Sequence, residues 1–160
     1  MNIRIIYDSV FGNTEKIAQA IGNGLEHEQD VKVIKVDQVE PKHLRGVNLL
    51  IVGSPTRAFR PTPALTQFLK QLPKDSLRGV KTAAFDTRIA VEDTNSRFLN
   101  LMVRLFGYAD KPIADMLKKK GGELINPSGG FIVEGTEGPL KEGEIERATE
   151  WAKYILAQCS

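Results

Sequence analysis

Short apolar runs alternate along the chain with segments whose apolar residues recur every three or four positions. The β-branched run at 3–6 and the almost unbroken apolar run at 47–52 predict strands, the second covered on both faces. Residues 31–36 alternate between apolar and polar, with Lys32 and Lys35 exposed, which predicts a strand at a sheet edge. These patterns predict a sheet that contains both buried and edge strands.

A fourth strand is predicted from Val80 to Phe85 or Asp86, and a last strand over 124–133, broken by Pro127 and a pair of glycines. Between the strands, apolar residues recur at helical spacing. These residues are Ile17, Ala18, Ile21 and Leu25; Ile113, Met116 and Leu117; and Ile145, Ala148, Ala152, Ile155 and Leu156. Strands that alternate with helices predict a parallel sheet with right-handed crossovers.

Residues 94–107 form the most individual segment. The apolar stripe consists of Phe98, Leu99, Met102, Leu105 and Phe106, and the polar face of Arg97, Asn100 and Arg104. Asn95 or Ser96 is the expected cap, and Gly107 the expected stop. We expect this helix to pack on the sheet as part of the core. The alternative is a movable flap or a partner-docking helix.

Length and composition predict one domain over residues 1–160, with 41% hydrophobic and 26% charged residues. The formal charge of +2 gives no support to nucleic-acid binding, and no apolar stretch is long enough to span a membrane. The N-terminal run serves better as a strand than as a signal peptide, so a cytoplasmic protein is expected. The single cysteine, Cys159, excludes an intramolecular disulfide, and His27 and His43 are expected to be solvated residues rather than metal ligands.

The chemistry of the chain concentrates where the first strand turns into the first helix. Ser9, Gly12, Asn13 and Thr14 supply hydroxyls, a close backbone approach and an amide at a helix N-terminus, which together favour an anion. Asn13 and Thr14 could instead simply cap the helix. The loop has neither the ending of a P-loop nor the triple-glycine dinucleotide fingerprint.

This loop, Ser9-Val10-Phe11-Gly12-Asn13-Thr14, resembles the phosphate loop of the flavodoxin family, which holds the phosphate of FMN. Phe11 is the departure, because the family usually has a hydroxyl there. The resemblance implies an α/β fold, a flavodoxin-like three-layer doubly wound five-stranded parallel sheet of order 2-1-3-4-5, with FMN as cofactor.

The loops after the third and fourth strands should meet the phosphate loop at one edge of this sheet, and the resemblance assigns them to the flavin. The expected contacts are Pro55, Thr56, Arg57, Ala58, Phe59 and Arg60, then Asp86, Thr87 and Arg88. Pro61 and Pro63 are expected to stiffen the connection, and Thr62 to cap the next helix. The flavin-stacking tyrosine of many electron carriers has no counterpart, since Tyr108 lies too far along, and Trp151 is expected to pack in the core.

The resemblance implies an FMN-binding protein that shuttles electrons between redox partner proteins or small electron acceptors. No acid–base pair or activated nucleophile stands out, so no catalytic side chain is predicted. The alternatives are a small FMN-dependent NAD(P)H:quinone-type reductase and a flavodoxin-like binding module that has lost flavin. A signalling receiver is disfavoured, because Gly53-Ser54 stands where its acceptor aspartate would be. Cations at positions 57, 60 and 88 are expected to make reduction of the flavin easier.

Overall fold

The computed structural model describes residues 1–90 and 96–160. The strands are β1 (Asn2–Tyr7), β2 (Asp30–Lys35), β3 (Leu49–Pro55), β4 (Lys81–Ile89), β5 (Glu123–Leu124) and β6 (Gly129–Val133). The helices are α1 (Asn13–Gly24), α2 (Pro63–Gln71), α3 (Arg97–Phe106), α4 (Asp110–Lys119) and α5 (Glu144–Ala157). Two short 3-10 turns, Val36–Gln38 and Pro41–Leu44, connect β2 to β3.

The sheet has the order β2-β1-β3-β4-β5, and β6 also pairs with β4. All of these pairings are parallel. The predicted order 2-1-3-4-5 is confirmed. The last strand is divided at Pro127, as predicted, whereas Gly129 and Gly130 belong to β6 rather than to the break. β5 pairs with the start of β4, at Lys81, and β6 with its end, from Phe85 onward. The sheet therefore counts six strands rather than five.

Two apolar layers cover the sheet. Ile3 and Ile5 of β1 face one cluster, which α1 and α5 complete, whereas Ile6 faces a second cluster completed by α2 and α4. The alternation follows from the two-residue period of a strand. Helix, sheet and helix thus form the three predicted layers.

An aromatic cluster closes the α5 side of the core. The Trp151 ring lies 6.2 Å from that of Phe85 and 6.0 Å from that of Phe131, between centroids. The Trp151 indole donates to the carbonyl of Pro127 at 3.0 Å. Trp151 therefore packs in the core, as expected. Gly53 is needed beside this cluster, because a Cβ there would lie 2.0 Å from the Phe85 ring.

Helix α3 departs from the prediction. Ser96 caps it and Gly107 ends it as expected, while Thr94 and Asn95 lie outside the described residues. No residue of α3 itself, from 97 to 106, is buried. The expectation that this helix forms part of the core is therefore wrong. Helical spacing shows which residues of a helix are apolar and not what covers them.

Of the predictions for single residues outside the cleft, some are confirmed and others are not. Thr62 caps α2 and Pro63 occupies its first turn, as predicted. Ile145 of α5 is exposed rather than buried. His27 is solvated, whereas His43 is half-buried and accepts the backbone N–H of Glu40, which closes a 3-10 turn. Among the helices of the described residues, none is both long and apolar enough to cross a bilayer.

Candidate functional site

A cleft of about 260 Å³ opens where β1, β3 and β4 reach their carboxyl ends. Its walls are Val10, Phe11, Asn13, Thr14, Pro55, Thr56, Arg57, Ala58, Thr87, Arg88, Ile89, Val133 and Thr136. The structure thus brings residues of all three predicted segments to one cleft, but residues 86–88, predicted as a loop, are the end of strand β4, which runs to Ile89. Parallel strands place their carboxyl ends, and the loops that follow them, at the same edge of the sheet.

The first loop carries backbone donors that point toward an incoming ligand. Gly12 is the N-cap of α1, with a left-handed φ of 92°, and no side chain caps the helix. Ser9 Oγ accepts the N–H of Gly12 at 3.1 Å, which curls the loop onto itself. Across the described residues, no acceptor meets the N–H groups of Asn13 or Thr14. The positive end of α1 is therefore available to an anion.

Asn13 has a different role from that of a helix cap. The side chain is buried, and its Nδ2 donates to the carbonyl of Glu137 at 3.0 Å. Gly138, at a φ of 104°, packs against the same amide, where a Cβ would come within 2.7 Å. Asn13 thus ties the first loop to the loop that follows β6.

The loop after β6 was missed from the sequence, as were the cleft walls Ile89, Val133 and Thr136. The edge rule that grouped the other three loops applies equally to the last strand, and that strand had been recognised. Glu134 to Gly138, with two glycines and a threonine, was the available signal.

Thr14 and Thr87 connect two walls of the cleft. Their buried hydroxyl oxygens lie 2.8 Å apart. Each hydroxyl can donate one hydrogen and accept others, so one of the two can donate to the other and retain acceptor capacity. The pair fixes the first turn of α1 against the end of β4.

The second loop, residues 55–60, is a tight hairpin. Arg57 and Arg60 exchange two backbone hydrogen bonds, of 2.8 and 3.0 Å. Ala58 and Phe59 between them have positive φ values of 48° and 67°. Thr56 Oγ1 accepts the N–H of Ala109 at 3.0 Å. These hydrogen bonds fix the conformation of the hairpin and its position beside the cleft.

Arg57 is exposed and lies over the ring of Phe11, with its guanidinium carbon 5.6 Å from the ring centroid. This contact joins the second loop to the first loop at the mouth of the cleft. A cation over an aromatic face is attracted by the ring quadrupole. Arg57 therefore keeps its positive charge close to the cleft.

Asp86 is fully buried beneath the cleft rather than lining it. Its carboxylate accepts two hydrogen bonds from Arg88, at 2.7 and 2.9 Å, and one from the N–H of Asp110 at 3.0 Å. Burial raises the pKa of Asp86 from its usual 3.8 to about 7, against the opposing effect of the hydrogen bonds and charge of Arg88. Asp86 is a structural support of the cleft, which corrects its predicted direct contact.

Arg88 is not the independent cation that the sequence predicted. Besides its two bonds to Asp86, it lies 3.4 Å from a carboxylate oxygen of Asp110 and stacks on Tyr108, 3.7 Å from the ring centroid. Burial alone would lower the pKa of Arg88. The hydrogen bond to Asp86 and the negative charge of Asp86 act in the opposite direction and outweigh burial, so the pKa of Arg88 is raised. Asp86 and Asp110 therefore offset part of the charge that Arg88 brings to the cleft.

A second, apolar cleft of about 300 Å³ adjoins the first. It shares Thr56, Ala58, Arg88 and Ile89 with the first cleft and is completed by Phe59, Leu99, Val103 and Tyr108. Phe59 lies here rather than in the first cleft, with its ring 6.2 Å from that of Phe106. Arg60 is exposed and lines neither cleft. It lines a groove between α3 and α4 that adjoins the second cleft through Ala58 and Phe59. The structure therefore separates these two residues from the other predicted contacts.

The donors around the first cleft suit a phosphate ester that carries a ring. The free N–H groups of Asn13 and Thr14 lie at this cleft, and Thr14, Thr56, Thr87 and Thr136 are among its walls, with apolar walls beside them. These groups bind an anion by hydrogen bonding rather than by a cationic clamp. No group of metal-ligating side chains occurs within residues 1–90 and 96–160.

Comparisons with known proteins agree with this geometry. The family model for the flavodoxin domain matches residues 4–125. A flavodoxin of Clostridium saccharobutylicum is 30% identical over 89 residues, which cover 54% of this chain and 56% of that protein. The aligned part thus spans about half the length of this curated relative.

Solved structures share the fold over the full chain. A flavodoxin from the domain Archaea is 22% identical, with a TM-score of 0.76, and 99% of each chain is covered. The oxidised flavodoxin 1 of Bacillus cereus is 19% identical, with a TM-score of 0.78, and 100% of each chain is covered. At these identities the likeness shows the fold alone.

Proposed function

The chain belongs to the flavodoxin domain family, and from this premise we propose that it binds FMN in the first cleft and transfers electrons between redox partners. The observation that carries this proposal is the open N-terminus of α1, whose unaccepted N–H groups face a cleft lined with hydroxyls. Bound FMN supplies the redox chemistry, and the residues of the chain supply binding and electrostatics.

The phosphate would be held by the first loop. Asn13 and Thr14 offer backbone N–H groups, the Thr14 and Ser9 hydroxyls lie in the same loop, and Gly12 leaves the approach open because no Cβ projects there. Phe11 offers only its backbone N–H, so this position contributes less than a hydroxyl would.

The ring would lie against the second loop, residues 55–60, and the end of strand β4. Ala58 and Ile89 are apolar walls of the first cleft, and Thr56 and Thr87 are hydroxyl-bearing walls beside them. Fixed donors at a largely apolar wall orient a flat heterocycle while they exclude water from one face. The hairpin at 55–60 is well suited to this, because the Thr56 N–H donates to the carbonyl of Thr87 in β4 and the Thr56 hydroxyl accepts the N–H of Ala109, the N-cap of α4.

A titration of flavin-stripped protein with FMN, with riboflavin as the phosphate-free comparison, tests the proposal. We expect fluorescence quenching by FMN at much lower concentrations than by riboflavin. Thr14→Val should weaken the binding of FMN more than that of riboflavin, whereas Thr149→Val, a hydroxyl on α5, is the matched control and should change neither. Absence of quenching by both flavins would contradict the proposal and favour a binding module without flavin.

The second cleft favours one further candidate, an FMN-dependent reductase. Its apolar walls adjoin the first cleft and leave open space for a small ring compound beside the cofactor. Such an enzyme would oxidise NAD(P)H steadily when a soluble quinone is supplied. A carrier would show no such turnover without a protein partner, so steady-state NAD(P)H oxidation separates the two candidates.

A further inference from the structure

Helix α3 exposes a row of large apolar side chains, Phe98, Leu101 and Leu105, called the stripe from here on, which differs from the stripe predicted from the sequence. Phe98, Leu101 and Leu105 are 66%, 50% and 65% exposed, and at this spacing they lie along one side of the helix. Adjacent exposed side chains of this size are unusual on the surface of a folded protein, whereas single ones are common. This stripe is separate from the side of α3 that lines the second cleft with Leu99 and Val103.

The C-terminal end of this helix contacts the hairpin at 55–60. Ser96 Oγ accepts the N–H of Leu99 at 3.2 Å, and Phe106 contacts the Phe59 ring. Just past its end, the N–H of Ala109 donates to Thr56. The C-terminal end of α3 is thus joined to the hairpin beside the clefts, whereas the Ser96 bond caps the first turn of the helix.

All charges on α3 are positive. Arg97 and Arg104 flank Leu101 at four and three residues, on the side next to the stripe, and residues 97–106 contain no acidic residue. Arg57 and Arg60 of the hairpin are exposed on the same edge of the molecule. The surface therefore complements a negatively charged partner with an apolar interior.

The composition of the surface favours a lipid bilayer over a protein. Phenylalanine and leucine on one side with arginine beside them is typical of helices that lie in a membrane interface. Residues 97–106 contain neither tyrosine nor tryptophan, two of the residues that dominate the energetic centres of protein interfaces. We propose that α3 docks the protein onto the surface of a membrane rich in anionic lipid, with the stripe in the headgroup region and the arginines at the phosphates.

This inference goes beyond the proposed function and does not depend on the cofactor. It places the open side of both clefts at the lipid surface, where lipid-dissolved ring compounds are concentrated. Docking of this kind is peripheral, because a helix of ten residues is far too short to span a bilayer.

Sedimentation with vesicles tests the proposal on the full-length chain. We expect the wild type to bind vesicles of phosphatidylcholine with phosphatidylglycerol and to bind pure phosphatidylcholine weakly. Arg97→Gln with Arg104→Gln should lower the bound fraction on the order of tenfold, as should Phe98→Ser with Leu105→Ser. Circular dichroism and the thermal midpoint verify that each variant is folded.

Two matched variants make the result specific to α3. Lys32→Gln with Arg45→Gln removes the same charge at the opposite edge of the sheet, and Ile145→Ser removes an exposed apolar side chain of α5. Both should bind vesicles within about twofold of the wild type, since neither lies near the stripe. If the Lys32/Arg45 variant lost as much vesicle binding as the Arg97/Arg104 variant, the proposal would be overturned, because the attraction to the vesicles would then come from overall charge alone.

Other results would assign the stripe to a different partner. Failure of the wild type to bind anionic vesicles overturns the proposal outright. If sedimentation velocity then shows a dimer that Phe98→Ser with Leu105→Ser dissociates, the stripe is covered by a second copy of the chain. If polyglutamate, and not vesicles, binds the wild type through Arg97 and Arg104, the partner is an acidic protein. The FMN titration is read separately, so either proposal can fail while the other stands.

Discussion

The hydroxyl oxygens of Thr14 and Thr87 lie 2.8 Å apart and join two parts of the chain that are 73 residues apart in sequence. Both side chains are buried, so water cannot readily replace the bond. The contact links the candidate phosphate loop to the end of β4, and so couples the geometry of two cleft walls.

We expect Thr14→Val and Thr87→Val each to lower the free energy of unfolding by about 1 kcal/mol, because each leaves one buried hydroxyl without its partner. The double variant should lose less than the sum of the two, since both variants remove the same bond. Urea unfolding of the three variants measures this coupling. Strict additivity would contradict the contact.

Phe11 stands where the family has a hydroxyl, and its ring is partly exposed beneath Arg57. Phe11→Thr should therefore tighten FMN binding by about three- to tenfold through one added hydrogen bond to the phosphate, and leave riboflavin binding unchanged. The two fluorescence titrations measure the effect. Phe98→Thr, at a similarly exposed phenylalanine of α3, is the control. An equal increase in the affinity for FMN and for riboflavin would show that the substitution acts on the ring system and not on the phosphate.

The buried carboxyl of Asp86 makes stability depend on pH. Its pKa of about 7 in the folded protein exceeds its usual 3.8, so the folded state retains this proton across that interval while the unfolded state has lost it. This group therefore stabilises the fold most below pH 4, and its contribution falls by up to about 1.4 kcal/mol per pH unit as the pH rises toward 7.

Asp86→Asn removes this titration, so the difference in unfolding free energy between the variant and the wild type should change between pH 4 and 7 and level off above that range. Denaturant unfolding at half-unit pH intervals measures the slope. Asp75→Asn is the control, since that carboxylate is solvent-exposed. A difference that stays constant from pH 4 to 7 would contradict the raised pKa.

The sequence predicted the sheet order because the apolar patterns of 3–6 and 47–52 distinguish buried strands from the edge strand at 31–36. It also predicted which loops meet, since strand direction alone sends them to one edge. The break in the last strand was likewise visible, in Pro127. These features depend on local pattern and on rules of topology.

The remaining features depend on contacts between distant residues. Asp86 and Arg88 are alternate residues of β4. Only the tertiary structure shows that the Arg88 guanidinium donates to the Asp86 carboxylate and that the N–H of Asp110 donates to the same carboxylate. The exposure of α3 and the bond from Asn13 to Glu137 are of the same kind. Spacing identifies the face of a helix or strand, but not the partner that meets it.

The charge state of Arg57 and Arg88 leads to a prediction about the bound flavin. Arg57 is exposed near the mouth of the first cleft, whereas the charge of Arg88 is partly offset by Asp86 and Asp110. A positive charge near the ring favours the reduced, more negative form, so the protein should have a second reduction potential less negative than that of acidic flavodoxins.

Arg57→Gln should make this potential more negative by a few tens of millivolts, on the order expected for one screened charge. Arg60→Gln, which lines the groove outside both clefts, should change it much less. Redox potentiometry of the FMN-loaded protein measures all three. A strongly negative wild-type value, or equal shifts in the two variants, would show that Arg57 does not tune the site.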